Sequence, residues 1–297
     1  MPSQIAPQNW IAVDWGTSNV RIWLMDAQNE VLGRRASDQG MAGLPSTRFE
    51  SVFLELAGDF LSPTGKTEVL VCGMAGAAEG WAEAGYLTVP SPPSAQKPAV
   101  IPTKDNRLSV RILPGLKQIS PADVMRGEET QIAGIMAGAP DFDGVICMPG
   151  THTKWVQVKS GVVEGFKTFM TGELFALLAT SSVLRHVIAK SGWDELGFIA
   201  GLKTSHLPTS ALFSLRADGL IGDMTPEFAR AKLSGHLIGA EIDAAKAFWQ
   251  DQKLIIVGKN DMARAYAKAL KLNNAEAELI DGEALVITGL AHARKWS

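Results

Sequence analysis

The chain 11–21, Ile-Ala-Val-Asp-Trp-Gly-Thr-Ser-Asn-Val-Arg, sets an aspartate inside an apolar strand and follows it with a glycine and two hydroxyls. An apolar strand is a costly place for a carboxylate unless something outside it needs the charge. Backbone N–H groups at Gly16, with the Thr17 and Ser18 hydroxyls, suit a phosphate, and Asp14 suits a metal beside it. The plain alternative is a surface hairpin with a turn aspartate, but Asp14 precedes the glycine inside the strand instead of standing in the turn. A second donor-rich loop is Gly150-Thr151-His152-Thr153-Lys154. A third segment, Arg126-Gly127-Glu128-Glu129-Thr130-Gln131, places two carboxylates beside a cation; a solvated helix face explains adjacent glutamates equally well.

These segments sit in an internal echo. Residues 10–36 read as strand (Trp10–Gly16), turn, strand (Val20–Asp26), polar turn and strand (Val31–Ala36). Residues 143–171 repeat the order: Val145–Met148, a turn, Trp155–Val158, Ser160-Gly161 and Val162–Met170. Placing Gly16 on Gly150 puts Thr17 on Thr151, Ile22 on Val156 and Leu24 on Val158, with Met148 where Asp14 stands. A helix follows each unit: Pro45–Leu61, and Thr171–Ala189 with Thr171 as N-cap and Leu174, Phe175, Leu177 and Leu178 buried. Strands return at Glu68–Cys72 and Lys253–Val257. Such a βββαβα half occurring twice predicts two α/β domains with a cleft between them.

The proline-rich stretch 76–118 is too long for a plain loop and reads as a functional insertion with strands of its own. Its Trp81 and Tyr86 suit either a ligand pocket or aromatic core packing. Ser120-Pro121-Ala122-Asp123 reads as a helix start with a capping-box acid; alternatively the helix begins near Gly127 and leaves Glu128 at its N-terminus. Residues 192–225 read as irregular, and Thr225-Pro226 opens a long helix to about Trp249.

Bulk properties narrow the class. The 297 residues make about two domains of ordinary size. A net charge of −3 without a basic run argues against sequence-independent nucleic-acid binding. Cys72 and Cys147 lie in apolar runs and read as buried thiols in a reducing compartment. The N-terminus lacks an apolar signal core and no apolar run reaches the ~20 residues of a membrane span, so a soluble cytoplasmic protein without membrane partners is expected. Two tempting motifs fail. Gly65-Lys66-Thr67 has Phe60 where a phosphate-binding P-loop needs glycine, and Gly73-Met74-Ala75-Gly76 lacks a dinucleotide fingerprint.

Asp14-x-Gly16-Thr17-x-x-x-Arg21 resembles the first phosphate motif of the glycerol kinase and sugar kinase family, within the actin/hexokinase/Hsp70 superfamily. Gly127-Glu128-Glu129-x-Gln131 is similar to the segment carrying that family's catalytic base, with Glu replacing Asp, and to a Gly-Glu-Glu segment of exopolyphosphatases. Gly150-Thr151 resembles the second phosphate loop. Ile255-Ile256-Val257-Gly258 resembles the adenosine motif, with Lys259 at the usual second glycine. These motifs, with Cys72–Gly76, Asp123–Gln131, Pro149–Lys154 and Phe169–Leu174, together resemble the 2-dehydro-3-deoxygalactonokinase family over nearly the whole chain.

The resemblance implies two ribonuclease-H-like (actin/hexokinase-type) domains with mixed sheets flanking a central cleft, at residues 1–140 for phosphate and substrate and 141–297 for nucleotide, the last helix being free to pack back on the first domain. It implies ATP- and Mg²⁺-dependent phosphorylation of a small sugar acid on its terminal hydroxyl, in galactonate breakdown. In that scheme Asp14 holds the metal, and Gly16, Thr17, Ser18, Arg21, Gly150 and Thr151 hold phosphate. Gly258 approaches adenosine and Glu128 accepts the hydroxyl's proton, with Asp123 next in line. Gly73, Ala75 and Gly76 floor the substrate site. A carboxylate substrate should meet a cation: Arg126, with Lys154 and Arg111 behind it. Rival readings are a kinase of another sugar acid or polyol, an exopolyphosphatase-like hydrolase, and a nucleotide switch of the Hsp70 type.

Overall fold

The computed structural model describes residues 8–93, 97–203 and 209–295. Its first unit runs to Phe142 and includes Lys159–Gly165 and the chain from Gly282 onward; the second takes Asp143–Val158 and Phe166–Asp281.

In the first unit, strands β1 (Trp10–Trp15), β2 (Val20–Met25) and β3 (Val31–Ser37) form an antiparallel meander, followed by helix α1 (Phe49–Ala57) and strand β4 (Thr67–Gly73) parallel to β1. After β4 come β5 (Tyr86–Thr88), β6 (Ala99–Ile101), β7 (Leu108–Ile112), β8 (Gly115–Gln118), β9 (Asp123–Met125) and helix α2 (Glu128–Gly138). The main sheet has the order β3-β2-β1-β4-β7-β6, and β5-β8-β9 make a small second sheet. Residues 76–118 therefore do carry strands, but β6 and β7 extend the main sheet.

Alternation along β1 serves two cores. Ile11, Val13 and Trp15 face a cluster with Phe49 and Phe53 of α1. Trp10 and Ala12 face the other side, with Leu70 of β4 and with Val286 and Leu290 of the last helix. Asp14 shares that second face by period-2 geometry.

The second unit repeats the plan. Strands β10 (Gly144–Met148), β11 (Thr153–Lys159) and β12 (Val162–Phe169) precede helices α3 (Thr171–Thr180), α4 (Glu195–Leu202), α5 (Thr209–Ile221), α6 (Pro226–Ala244) and α7 (Lys246–Trp249). Strand β13 (Leu254–Val257), helix α8 (Asp261–Leu272) and strand β14 (Ala277–Ile280) complete it; helix α9 (Gly282–Arg294) belongs to the first unit. The sheet order is β12-β11-β10-β13-β14, with β13 parallel to β10 and β14 parallel to β13. Both units thus carry the ribonuclease-H-like arrangement.

The structure corrects several sequence expectations. Val13 pairs with Ile22 but Cys147 pairs with Trp155, so the second loop is one residue shorter; Trp155, not Val156, is the counterpart of Ile22. Helix α3 stops at Thr180 and Met170, not Thr171, occupies its N-cap position. Its apolar residues divide between two faces: Phe175 and Leu178 pack inward, while Leu174 and Leu177 stay 43% and 49% exposed. No helix starts at Ser120, because Asp123 pairs with Gln118 in the β8–β9 hairpin and Gly127, at φ +100°, interrupts any helix crossing it. The stretch 192–225 holds α4 and α5. Thr225 caps α6, accepting from Phe228 N at 3.3 Å, but α6 ends at Ala244. Among the described residues no helix is long and apolar enough to cross a membrane.

Candidate active site

Register alone assembles the surroundings of Asp14. It faces Arg21 across the β1–β2 hairpin and Cys72 across the parallel β1–β4 pair. Its Oδ2 accepts a close hydrogen bond from Arg21 Nη2, and Oδ1 lies 3.9 Å from Cys72 Sγ. The carboxylate is 14% exposed. Burial raises its pKa above the usual aspartate value; Arg21 opposes that shift and the nearby charge of Glu128 reinforces it. Arg21 also reaches Glu283 of α9 at 3.5 Å, which Arg34 holds at 2.9 Å. Arg21 thus links the Asp14 carboxylate to Glu283 of α9 and keeps 35% of its side chain exposed.

The turn after Asp14 is braced from behind. Gly16 N donates to Asn19 O at 2.8 Å, Met41 N to Gly16 O at 3.0 Å and Ala42 N to Thr17 O at 2.9 Å. Gly40 allows this approach, since a Cβ there would stand 2.3 Å from Thr17 O. Thr17 and Ser18 remain exposed at the tip.

Beneath Asp14 two glycines meet. Gly73 has φ +86°, and a Cβ on it would lie 2.7 Å from Trp15 O and 3.2 Å from Asp14 Oδ1. Gly127 has φ +100°, and a Cβ on it would lie 3.3 Å from the Gly73 Cα. This back-to-back contact brings the first residues of α2 under the end of β1. Glu128 Oε2 accepts from Arg126 N at 3.1 Å, and Glu129 Oε2 from Gly127 N at 2.6 Å. Helix α2 is locked to α9 at similarly close range: a Cβ on Gly289 would meet Thr130 O at 1.9 Å.

Glu129 is fully buried, and burial with the charge of Glu128 pushes its pKa to about 8. It is thus protonated at neutral pH, while Glu128 is half-buried. The sequence singles out Glu128 through the motif it resembles; the different depths of the two glutamates on α2 are a separate observation.

Of the three cations weighed for a carboxylate, Arg111 is taken by Glu68, which also pairs with Arg294 at 2.9 Å. Lys154 Nζ donates to His152 O at 3.2 Å. Arg126 donates Nη2 to Gly85 O at 2.8 Å and lies over the Tyr86 ring at 4.2 Å. Gly76 runs beside it, and Gly73, Ala75 and Gly76 are all buried. Ala75 packs in the α1-side core. Trp81 packs with Trp15 and Phe49 in that same core, and Tyr86 under Arg126.

In the second unit Met148 faces Lys154 across the β10–β11 hairpin. The Gly150–Thr151 turn is braced by α3: Glu173 N donates to Thr151 O at 3.0 Å, and a Cβ on Gly172 would stand 2.3 Å from Gly150 O. His152 is exposed and pairs with Glu173 at 2.5 Å, a link between loop and helix. Behind this loop lies a carboxylate that no motif announced. Glu241 on α6 is 3% exposed and accepts from Trp155 Nε1 at 2.8 Å and Tyr266 OH at 2.7 Å; Thr171 also bonds it. Tyr266 OH in turn meets Thr153 Oγ1 at 3.0 Å.

Gly258 turns sharply at φ +125° after β13, with its N–H on Ile280 O at 2.7 Å. Asn260 then caps α8, accepting from Ala263 N at 2.9 Å. The first turns of α8 line a cavity of about 740 Å³ with Phe175, Trp193, Arg230 and Lys268, all residues of the second unit.

Comparison with known proteins gives one consistent result. The family model for 2-keto-3-deoxy-galactonokinase matches residues 14–293. The chain is 38% identical to a protein assigned as a 2-dehydro-3-deoxygalactonokinase in Rhizobium meliloti, covering 96% of each chain. It is 34% identical to the 2-dehydro-3-deoxygalactonokinase of Escherichia coli, over 96% of this chain and 98% of that one. A crystal structure assigned to the same activity in Sinorhizobium meliloti superposes with a TM-score of 0.88 at 37% identity, covering 97% of this chain and 98% of the other.

Proposed function

Since this chain belongs to the 2-keto-3-deoxy-galactonokinase family, we propose that it transfers the γ-phosphoryl group of ATP to the terminal C6 hydroxyl of 2-keto-3-deoxygalactonate. The observation that carries the site assignment is the Gly73–Gly127 contact, which brings Glu128 within electrostatic reach of Asp14.

Glu128 is the proton acceptor. It is half-buried at the start of α2, whereas Glu129 is sealed and protonated. As the acceptor oxygen bonds to the γ-phosphorus, the bond from that phosphorus to the β-phosphate oxygen breaks, ADP leaves, and the hydroxyl proton passes to the Glu128 carboxylate. Gly16 N–H is bonded to Asn19 O, so the first loop offers mainly its exposed hydroxyls, Thr17 and Ser18, to phosphate oxygens. Gly150 and Thr151 offer the second loop's donors. Gly73 and Gly76 present backbone to the substrate.

Asp14 would hold a magnesium ion, which would offset charge on the phosphates of a bound nucleotide. Among the described residues no cluster of three or more His, Cys, Asp or Glu side chains could hold a metal by protein groups alone. Arg21 offsets only part of what burial and Glu128 cost the Asp14 charge, and a divalent cation would offset more. When bound, Mg-ATP provides the phosphoryl group and offsets charge on its own phosphates. Arg21 fixes the Asp14 rotamer. For the nucleoside, Gly258 and the α8 face of the cavity in the second unit offer a site with aromatic and cationic walls. The test is an acceptor panel with coupled ADP detection: 2-keto-3-deoxygalactonate gives ATP-dependent turnover, and turnover of neutral polyols alone overturns the assignment.

A further inference from the structure

Arg126 is the least satisfied charge in the first unit's site. Its side chain is 8% exposed, yet Nε and Nη1 are buried without a hydrogen-bond partner. A guanidinium carries five N–H donors, and one bond to Gly85 O leaves most of them unused. Buried cations are ordinarily paired with a carboxylate, because the desolvation cost is otherwise left uncompensated. No carboxylate of the described residues forms an ion pair with it; the adjacent Glu129 is buried and occupied by Gly127 N and Thr130 Oγ1.

The surroundings hold the guanidinium in place without neutralising it. Tyr86 stacks on its face at 4.2 Å. That ring has room because its register partner on β8 is Gly115, where a Cβ would stand 2.9 Å from Tyr86 Cδ1. Gly76 lies so near that a Cβ there would meet Nη1 at 2.7 Å. Arg126 is two residues before Glu128, and its own backbone N–H is the donor to the Glu128 carboxylate. The cation and the proton acceptor thus belong to one rigid turn.

We propose that Arg126, seated on Tyr86 and gauged by the glycine at 76, is the anchor that binds the acceptor's C1 carboxylate and selects 2-oxo acids over neutral sugars. This rests on the kinase reading above and assigns the residue that recognises the acid. Arg111 and Lys154, the other cations weighed, already have protein partners. An arginine held by stacking offers a planar fork that a carboxylate fills and a lysine cannot reproduce.

The test compares wild type, Arg126→Met, Arg126→Lys and Gly76→Ala with 2-keto-3-deoxygalactonate and with its uncharged C1 amide. Steady-state kinetics are read together with calorimetric binding of each compound in the absence of nucleotide. Arg126→Met is expected to raise KM and Kd for the acid by roughly 10²-fold, leaving KM for ATP and binding of the amide unchanged. Arg126→Lys should recover only part of this loss. Gly76→Ala presses on Arg126 Nη1 at 2.7 Å and on Ile112 Cγ2 and Ala84 Cβ at 3.0 and 3.1 Å; with the fold checked by urea unfolding, the acid should lose roughly 10-fold in affinity. Acid binding within about 3-fold of wild type in folded Arg126→Met, or in Gly76→Ala if the first variant fails to fold, overturns the anchor. Absence of turnover by the wild type with intact, Arg126-dependent acid binding would instead count against the kinase reading and leave the anchor standing.

Discussion

In the first unit the strand entering the glycine loop ends with Asp14 facing Arg21; in the second the corresponding strand ends with Met148 facing Lys154. Both loops are braced alike, by backbone N–H donors from the segment behind and by a glycine with no room for a Cβ, Gly40 in one and Gly172 in the other. The shared part is a stiff turn of donors. The differing part is charge: the first unit's carboxylate, Asp14, sits in the strand and pairs with Arg21, while the second unit's buried carboxylate, Glu241, lies behind the loop and takes only neutral donors, Trp155, Tyr266 and Thr171; burial raises the pKa of both. The duplicated hairpin therefore supplies the turn geometry twice and a carboxylate in the entering strand once.

The strongest way to break this asymmetry is at the residue that Asp14 senses from α2. Glu128→Gln should lower turnover by ~10²- to 10⁴-fold while nucleotide binding is retained, measured by ADP release and by titration calorimetry. Next comes the pair of equivalent positions. Asp14→Asn should cost roughly 10²-fold or more in kcat/KM and weaken the response to magnesium. Met148→Leu should stay within about 3-fold in activity and lose less than about 1.5 kcal/mol of stability in urea unfolding. Equal losses at both positions would erase the distinction between the units.

Glu129→Gln sharpens the comparison on the stability side. The folded-state pKa of Glu129 is raised to about 8 from 4.5. Between those values the unfolded chain releases the proton and the folded chain keeps it, so this group's contribution to stability falls as pH rises and levels off above about 8. The amide mimics the protonated acid. The variant should match wild type near pH 5 and exceed it at pH 9, by at most about 5 kcal/mol, in denaturant titrations across pH. The smallest expected effects are at the braces. Gly40→Ala and Gly172→Ala each force a backbone shift costing ~1–3 kcal/mol, and each should raise KM for ATP more than it lowers kcat.

Much of the fold was legible because the two hairpins obey period-2 alternation and end in turn residues. Asp14 and Gly150 could be located this way; the start of α2 stayed open between Ser120 and Gly127 until the β8–β9 pairing closed the first option. What the pattern could not show depended on contacts across elements. The one-residue gap in the second loop is visible only from the Cys147–Trp155 pairing. Leu174 and Leu177 read as core but are exposed, because Phe175 and Leu178 take the inward face. The pairing of Arg21 with Asp14 follows from their register across the β1–β2 hairpin, which the motif alone does not give. Glu241 lay in a helix that the sequence does announce, but its importance comes from Trp155 and Tyr266, which are far from it in sequence. Arg126 could be named as a cation beside two acids; its unused donors are a property of Tyr86, Gly76 and Gly85 around it.

The most direct test of the central claim is a single acceptor panel, following ATP consumption and phosphorylated product by phosphorus NMR with 2-keto-3-deoxygalactonate, its gluconate-derived epimer, neutral polyols and no acceptor. The account predicts ADP and a C6 phosphomonoester in equal amounts, only when a 2-keto-3-deoxy sugar acid is present. Inorganic phosphate released at the same rate without any acceptor, or turnover confined to neutral polyols, would contradict it.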